Sequence, residues 1–201
     1  MEKPSLSILP QYIPAGLFEY LLVVSPCEDV YNKVIQEKKY FSENYGQPVA
    51  VKTSPHITLA NFLAWDSMED TFIRWLQRIA KEQKRFPVLL NNYSGFPSHT
   101  IFIRIQDPAP FKQLAARLKA IGPYIKENSS YPAKFITSPH VSIAGRLPLK
   151  VYDKAIREYA EKDFTAAFSV TELVLLRRQH QFDKCKEVAV FPLQPDESLN
   201  N

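Results

Sequence analysis

Two short segments of this chain hold residues that could do chemistry together. TSPHITLA, from Thr53 to Ala60, recurs as TSPHVSIA, from Thr137 to Ala144, with five identities in eight positions and the second histidine 84 residues after the first. In each copy the proline disfavours helix at the preceding serine and stiffens the lead into a strand that opens at or near the histidine. Alternation along a strand then sets His56 and Thr58 on one face and Ile57 and Leu59 on the other, and treats His140 and Ser142 alike. Where two such faces meet across a groove, two imidazoles oppose each other with two hydroxyls between them. That set suits in-line displacement at phosphorus. The entering oxygen needs a base and the leaving oxygen, on the far side, an acid; imidazole, with a pKa near about 6.5, can be either at neutral pH. Hydroxyls aimed at the non-bridging oxygens would stabilise the charge of the transition state. No Asp, Glu or Cys stands at ligand spacing from either histidine, so the set requires no metal and no cofactor.

The elements that must position these strands are legible from apolar periodicity. Residues 17 to 25 (LFEYLLVVS) read as a buried strand ended by Pro26, and residues 27 to 44 carry Val30 and Val34, with Tyr31 and Ile35, at helical spacing. Residues 56 to 62 alternate as a strand, and Asp66 or Ser67 can cap a helix holding Phe72, Trp75, Leu76 and Ile79 down to Lys84. FPVLLNNYSGF (86 to 96) and HTIFIRIQ (99 to 106) read as a hairpin. The layout then repeats, with a helix from Phe111 to Ile121, a strand over 135 to 145 and a helix over 149 to 163. Strands at 168 to 179 and 186 to 193 close the chain as a long hairpin with an exposed turn, QHQFDK. Helices interleaved with hairpins and crossovers indicate an α+β fold. Two similar lobes of mixed or antiparallel sheet with flanking helices are expected. Residues 17–193 form one bilobal domain in this reading, with 1–16 an N-terminal extension and 194–201 a flexible tail.

Composition narrows the class of protein. At 201 residues, 45% hydrophobic and 23% charged, the chain can bury a proper core and is neither disordered nor low in complexity. A net charge of +4 suits an anionic ligand but lacks the density of a duplex-DNA binder. The lysine-rich pieces IQEKKY and KEQKR also carry acids or glutamine and read as solvated helix faces. Cys27 and Cys185 stand alone, which excludes a disulfide framework or a structural zinc site and indicates reduced thiols in a cytoplasm. No signal peptide or membrane-spanning run is read, and a cytoplasmic monomer without membrane contacts is expected.

At its two motifs, HIT and HVS, the sequence resembles the 2H phosphoesterase superfamily, named for paired His-x-Thr/Ser motifs and including 2'-5' RNA ligase-like proteins and cyclic phosphodiesterases. The resemblance spans residues 17 to 193. It implies a bilobal fold with pseudo-twofold symmetry. It implies metal-independent cleavage or formation of 2',3'-cyclic phosphates or 2'-5' linkages, with a nucleotide or RNA terminus as substrate and His56, Thr58, His140 and Ser142 as the site. The family usually has Thr in both motifs and often Arg directly after Leu-Ala. Here Ser142 replaces one Thr, Asn61 follows the first Ala, and Gly145 intervenes before Arg146. A non-catalytic module of the same fold that binds a nucleotide or RNA end is the alternative.

Other residues offer weaker signals. Tyr20, Phe62 and Tyr93 could stack on a nucleobase, against the commoner reading of strand aromatics as core. Arg177 and Arg178 must point to opposite faces; Arg177 shares its face with Leu173 and Leu175, where a buried guanidinium would want an anion, a surface salt bridge being the competing reading. His99 lacks a hydroxyl two residues on, and His180 lies in the expected turn, so both read as structural or solvated.

Overall fold

The computed structural model describes residues 14–180 and 183–195. Its strands are β1 (Leu17–Val24), β2 (Ile57–Trp65), β3 (Phe86–Phe96), β4 (Thr100–Ile105), β5 (Lys134–Phe135), β6 (His140–Ala144), β7 (Thr165–Val170), β8 (Glu172–Arg178) and β9 (Lys186–Pro192). Its α-helices are α1 (Glu28–Tyr45), α2 (Glu69–Lys81), α3 (Ala109–Leu118), α4 (Gly122–Ser129) and α5 (Leu149–Ala160). The expected N-terminal extension, up to residue 13, and the tail from 196 lie outside the described residues.

The helices form where apolar residues recur at three- and four-residue spacing. In α1 the buried stripe is Val30, Val34, Lys38, Phe41 and Tyr45, and the helix ends at Gly46, whose φ of 61° lets its N–H return to the Ser42 carbonyl. Lys38 corrects the sequence reading: IQEKKY is not wholly a solvated face, because this lysine falls four residues after Val34 and three before Phe41. At the other end of the fold, a Cβ on Gly95 of β3 would lie 2.6 Å from the Tyr152 hydroxyl and 2.9 Å from Ile156, so glycine is what lets α5 lie directly on that strand.

The strands make two antiparallel sheets, ordered β5-β2-β1-β8-β9 and β6-β4-β3-β7. The α+β, two-lobed reading holds, but the lobes are not the halves of the chain. The first sheet joins β1 and β2 to the C-terminal hairpin, while the second combines β3 and β4 with β6 and β7. Two segments read as single strands are split between sheets: 135 to 145 supplies β5 to one and β6 to the other, and 168 to 179 divides at Thr171 into β7 and β8. The helices cross over as well. α1 leaves the first sheet and packs on β6 and β7, whereas α3 and α4 leave the second and pack on β2; α2 and α5 cover β9 and β3–β4 of their own lobes. β2 and β6, the strands that carry the repeated motif, touch each other across the junction. No described helix is long and apolar enough to cross a membrane, and Cys27 and Cys185 are free thiols.

Candidate active site

The repeat in sequence is a repeat in structure, residue for residue. In both copies the Thr-Ser pair is exposed, the proline buried, the histidine half-buried, and burial then alternates through the hydroxyl residue to a buried pair ending in alanine. His56 Nδ1 lies 2.8 Å from the carbonyl oxygen of Ser54, and His140 Nδ1 lies 2.7 Å from that of Ser138. A carbonyl only accepts, so Nδ1 carries the proton in each ring and Nε2 is left to gain or lose one. Among the described residues neither Nε2, nor the hydroxyl of Thr58 or Ser142, has a hydrogen-bond partner. Each strand also slips register just past its hydroxyl. Thr58 faces Val23 and Ala60 faces Leu22, leaving Leu59 extra; Ser142 faces Phe102 and Ala144 faces Ile101, leaving Ile143 extra. These matched bulges turn the later part of each strand over relative to simple alternation.

His140 is near enough for its charge to act on His56. His56 titrates below the ordinary imidazole value, first because burial disfavours its charge and further because Lys38, His140 and Arg178 place positive charge near it; its bond to Ser54 opposes the shift. His140 is also lowered by burial, against the pull of its own backbone bond. Lys38 is 1% exposed and donates to the Thr53 hydroxyl at 3.0 Å and to the Ser142 carbonyl at 3.3 Å, so one ammonium touches both copies of the motif. Among the described residues no cluster of His, Cys, Asp and Glu could hold a metal ion.

A family model described as the 2'-5' RNA ligase superfamily matches residues 27–181, a span that includes both motifs. The chain belongs to the 2'-5' RNA ligase superfamily. No curated protein matches the sequence. Among solved structures, Escherichia coli LigT complexed with 3'-AMP aligns with a TM-score of 0.63 at 15% identity, covering 88% of this chain and 98% of LigT. TT0787 of Thermus thermophilus gives 0.65 at 18% identity, over 89% and 100% of the two chains. Usb1 of Kluyveromyces marxianus gives 0.51 at 14%, over 88% and 98%. At these identities the likeness is one of fold.

Around the paired motifs of this 2'-5' RNA ligase-like fold, the other candidates read from sequence lie elsewhere. Tyr20 is fully buried, stacks on Phe62 at 5.5 Å, meets Phe72 of α2 edge-on and donates to Glu69 at 2.8 Å. Arg177 reaches the same Glu69 at 2.7 Å and lies over the Phe18 ring. Tyr93 packs edge-on against Tyr159 of α5 and beside Phe164. All four side chains face the helices, away from the sheet faces that carry Thr58 and Ser142. For Phe62 the cause is the Leu59 bulge: strict alternation puts residue 62 with His56 and Thr58, and one extra residue sends it to the opposite face. Tyr20 pairs with Phe62 and Arg177 pairs with Tyr20 across the sheet, so all three share that face.

The same bulge turns Asn61 onto the face that carries Thr58, where β1 and β8 already place Glu19 and Arg178. Glu19, Asn61 and Arg178 lie on the Thr58 face, with Asn61 Nδ2 donating to Glu19 at 2.9 Å and Arg178 Nε at 2.5 Å. A glutamate inside the apolar run LFEYLLVV was the signal available for this network. In the other lobe, half-buried Phe96 and Phe102 sit 4.6 Å apart and enclose the His140 ring at 4.9 and 5.0 Å. His99 stacks on Phe96 at 6.1 Å and pairs with the Thr100 hydroxyl, which gives it a structural place at the edge of this cluster. The surroundings are thus charged beside the first motif and aromatic beside the second.

Proposed function

We propose that the protein is a metal-independent phosphodiesterase that opens 2',3'-cyclic phosphates or cleaves 2'-5' linkages at the end of an RNA or in a small nucleotide. The observation that carries this reading is the duplicated arrangement itself: two imidazoles with the same proton-bearing nitrogen, two unengaged hydroxyls, and the charge of His140 acting on His56. One histidine takes the proton of the entering water as its oxygen bonds to phosphorus. The other gives its Nε2 proton to the ribose oxygen as the P–O bond breaks, leaving a phosphomonoester and a free hydroxyl. Thr58 and Ser142 donate to the non-bridging oxygens. Arg178, held by Glu19 on the same face, adds positive potential for the anionic substrate. The crystallisation of LigT with 3'-AMP, and in other crystals with phosphate and with NADP+, supports a nucleotide as the ligand class.

The reading is tested by assaying turnover of nucleoside 2',3'-cyclic phosphates, 2'-5' dinucleotides and RNA with a cyclic phosphate end. Hydrolysis is expected to persist in excess EDTA, because the donor set offers no hard-oxygen site for a divalent ion. Loss on chelation with recovery on adding one metal would reject the mechanism, and tight binding without turnover would make the protein a binding module.

Phe96 and Phe102 are proposed to stack on the base. Phe102→Ala is expected to raise KM for nucleoside 2',3'-cyclic phosphates about tenfold, from a stacking contribution of about 1–3 kcal/mol, and to leave ribose 2',3'-cyclic phosphate nearly unaffected. Equal effects on both substrates would assign the ring to packing around His140 alone.

A further inference from the structure

The most unusual group beside the two motifs is one that the two-histidine chemistry does not use. A lysine with 1% exposure gives up hydration that hydrogen bonds to neutral oxygens replace only in part. Lys38 has no carboxylate partner among the described residues; its contacts are the Thr53 hydroxyl and the Ser142 carbonyl. Thr53 precedes Ser54, whose carbonyl sets the His56 ring, and Ser142 carries the hydroxyl of the second motif. The ammonium therefore joins the loop before one histidine to the strand of the other, from a helix that crosses between lobes.

We propose that Lys38 is a positioning residue, tying the first motif to the second and setting its positive charge beside the His56 imidazole. The inference rests on the phosphodiesterase reading for its purpose, though its electrostatic part can be observed without turnover. Burial lowers the pKa of Lys38 to about 8, so it stays protonated through the range in which the imidazoles titrate. The charged groups acting on His56 are Lys38 from α1, His140 from β6 and Arg178 from β8, the last paired with Glu19 of β1. Positive charge there disfavours the imidazolium and keeps His56 neutral over more of the pH range, the state from which a general base acts.

The test is Lys38→Met, which keeps the stem and removes the charge, with Lys38→Arg as the charge-retaining partner. In the Met variant the His56 titration midpoint, followed by imidazole NMR, is expected to rise by about 0.5–1 pH unit, and the acid limb of kcat/KM to move with it. kcat is expected to fall about 10- to 100-fold, with the Arg variant retaining the wild-type His56 midpoint and more of the rate. An unchanged midpoint in a Met variant with native near-UV circular dichroism would overturn the proposal, whatever the rate does. Should the Met variant fail to fold, a His56 midpoint in Lys38→Gln equal to that of wild type would overturn it. A wild-type protein without turnover would instead reject the phosphodiesterase reading, while leaving the shift in midpoint measurable.

Discussion

Alanine in place of His56 or His140 is expected to lower kcat/KM for a nucleoside 2',3'-cyclic phosphate by about 10²- to 10⁴-fold, the contribution of a positioned acid or base. Each change should also remove one limb of the pH profile. Because burial lowers both imidazoles, the bell in kcat/KM, which reports the free enzyme, is expected to peak below about pH 6.5. Thr58→Val and Ser142→Ala should reduce the rate with both limbs intact, since a hydroxyl stabilises charge there without titrating. Steady-state kinetics between about pH 4.5 and 9 checks all four variants. A wild-type rate that rises steadily with pH would point to hydroxide attack and against paired roles. The same shifts have a consequence for folding. Both histidines bind a proton less readily in the folded chain than in the unfolded one, so their contribution to stability is complete above the ordinary pKa of about 6.5 and is lost as pH falls through the folded values.

Arg178→Met is expected to destabilise the fold by about 3–5 kcal/mol, the consequence of leaving the fully buried Glu19 carboxylate without its guanidinium. For a chain of this size that corresponds to a fall in Tm of about 6–20 °C. Pairing it with Glu19→Gln should recover much of the loss, because the stranded charge is then gone. Its neighbour supplies the control. Arg177 and Glu69 form an equally direct ion pair with about a third and a fifth of their side chains in solvent, and Arg177→Met should cost about 1 kcal/mol or less. Denaturant titration of the variants separates the cases. Equal losses for Arg177 and Arg178 would show that burial of Glu19 does not set the difference.

Much of the site was legible in the sequence because the repeat is local. Proline before histidine, the alternating hydroxyl and the buried alternates act within eight residues, and both copies take the same conformation. Helix spacing and the two hairpins were readable for the same reason. Misreadings began where one residue's effect travels along a strand. Phe62 reads as a base-stacking aromatic; strict alternation would place it with His56 and Thr58, and the alternation fails at Leu59. Lys38 followed from composition, whereas its position in the stripe of Val34 and Phe41 was the better guide.

By itself, then, the sequence determined the two His-x-Thr/Ser strands, their duplication and the α+β class, since these rest on short-range backbone preference and on periods of two and about three and a half residues. Tertiary structure decided which long-range partners met. β8 and β9 close the sheet begun by β1 and β2, and α1 crosses to the other lobe, bringing Lys38 to both motifs. A bulge is visible only against the strand it pairs with. Its presence turns Asn61 onto the Thr58 face and Phe62 toward the helices, because side chains alternate strictly and one inserted residue reverses every face beyond it.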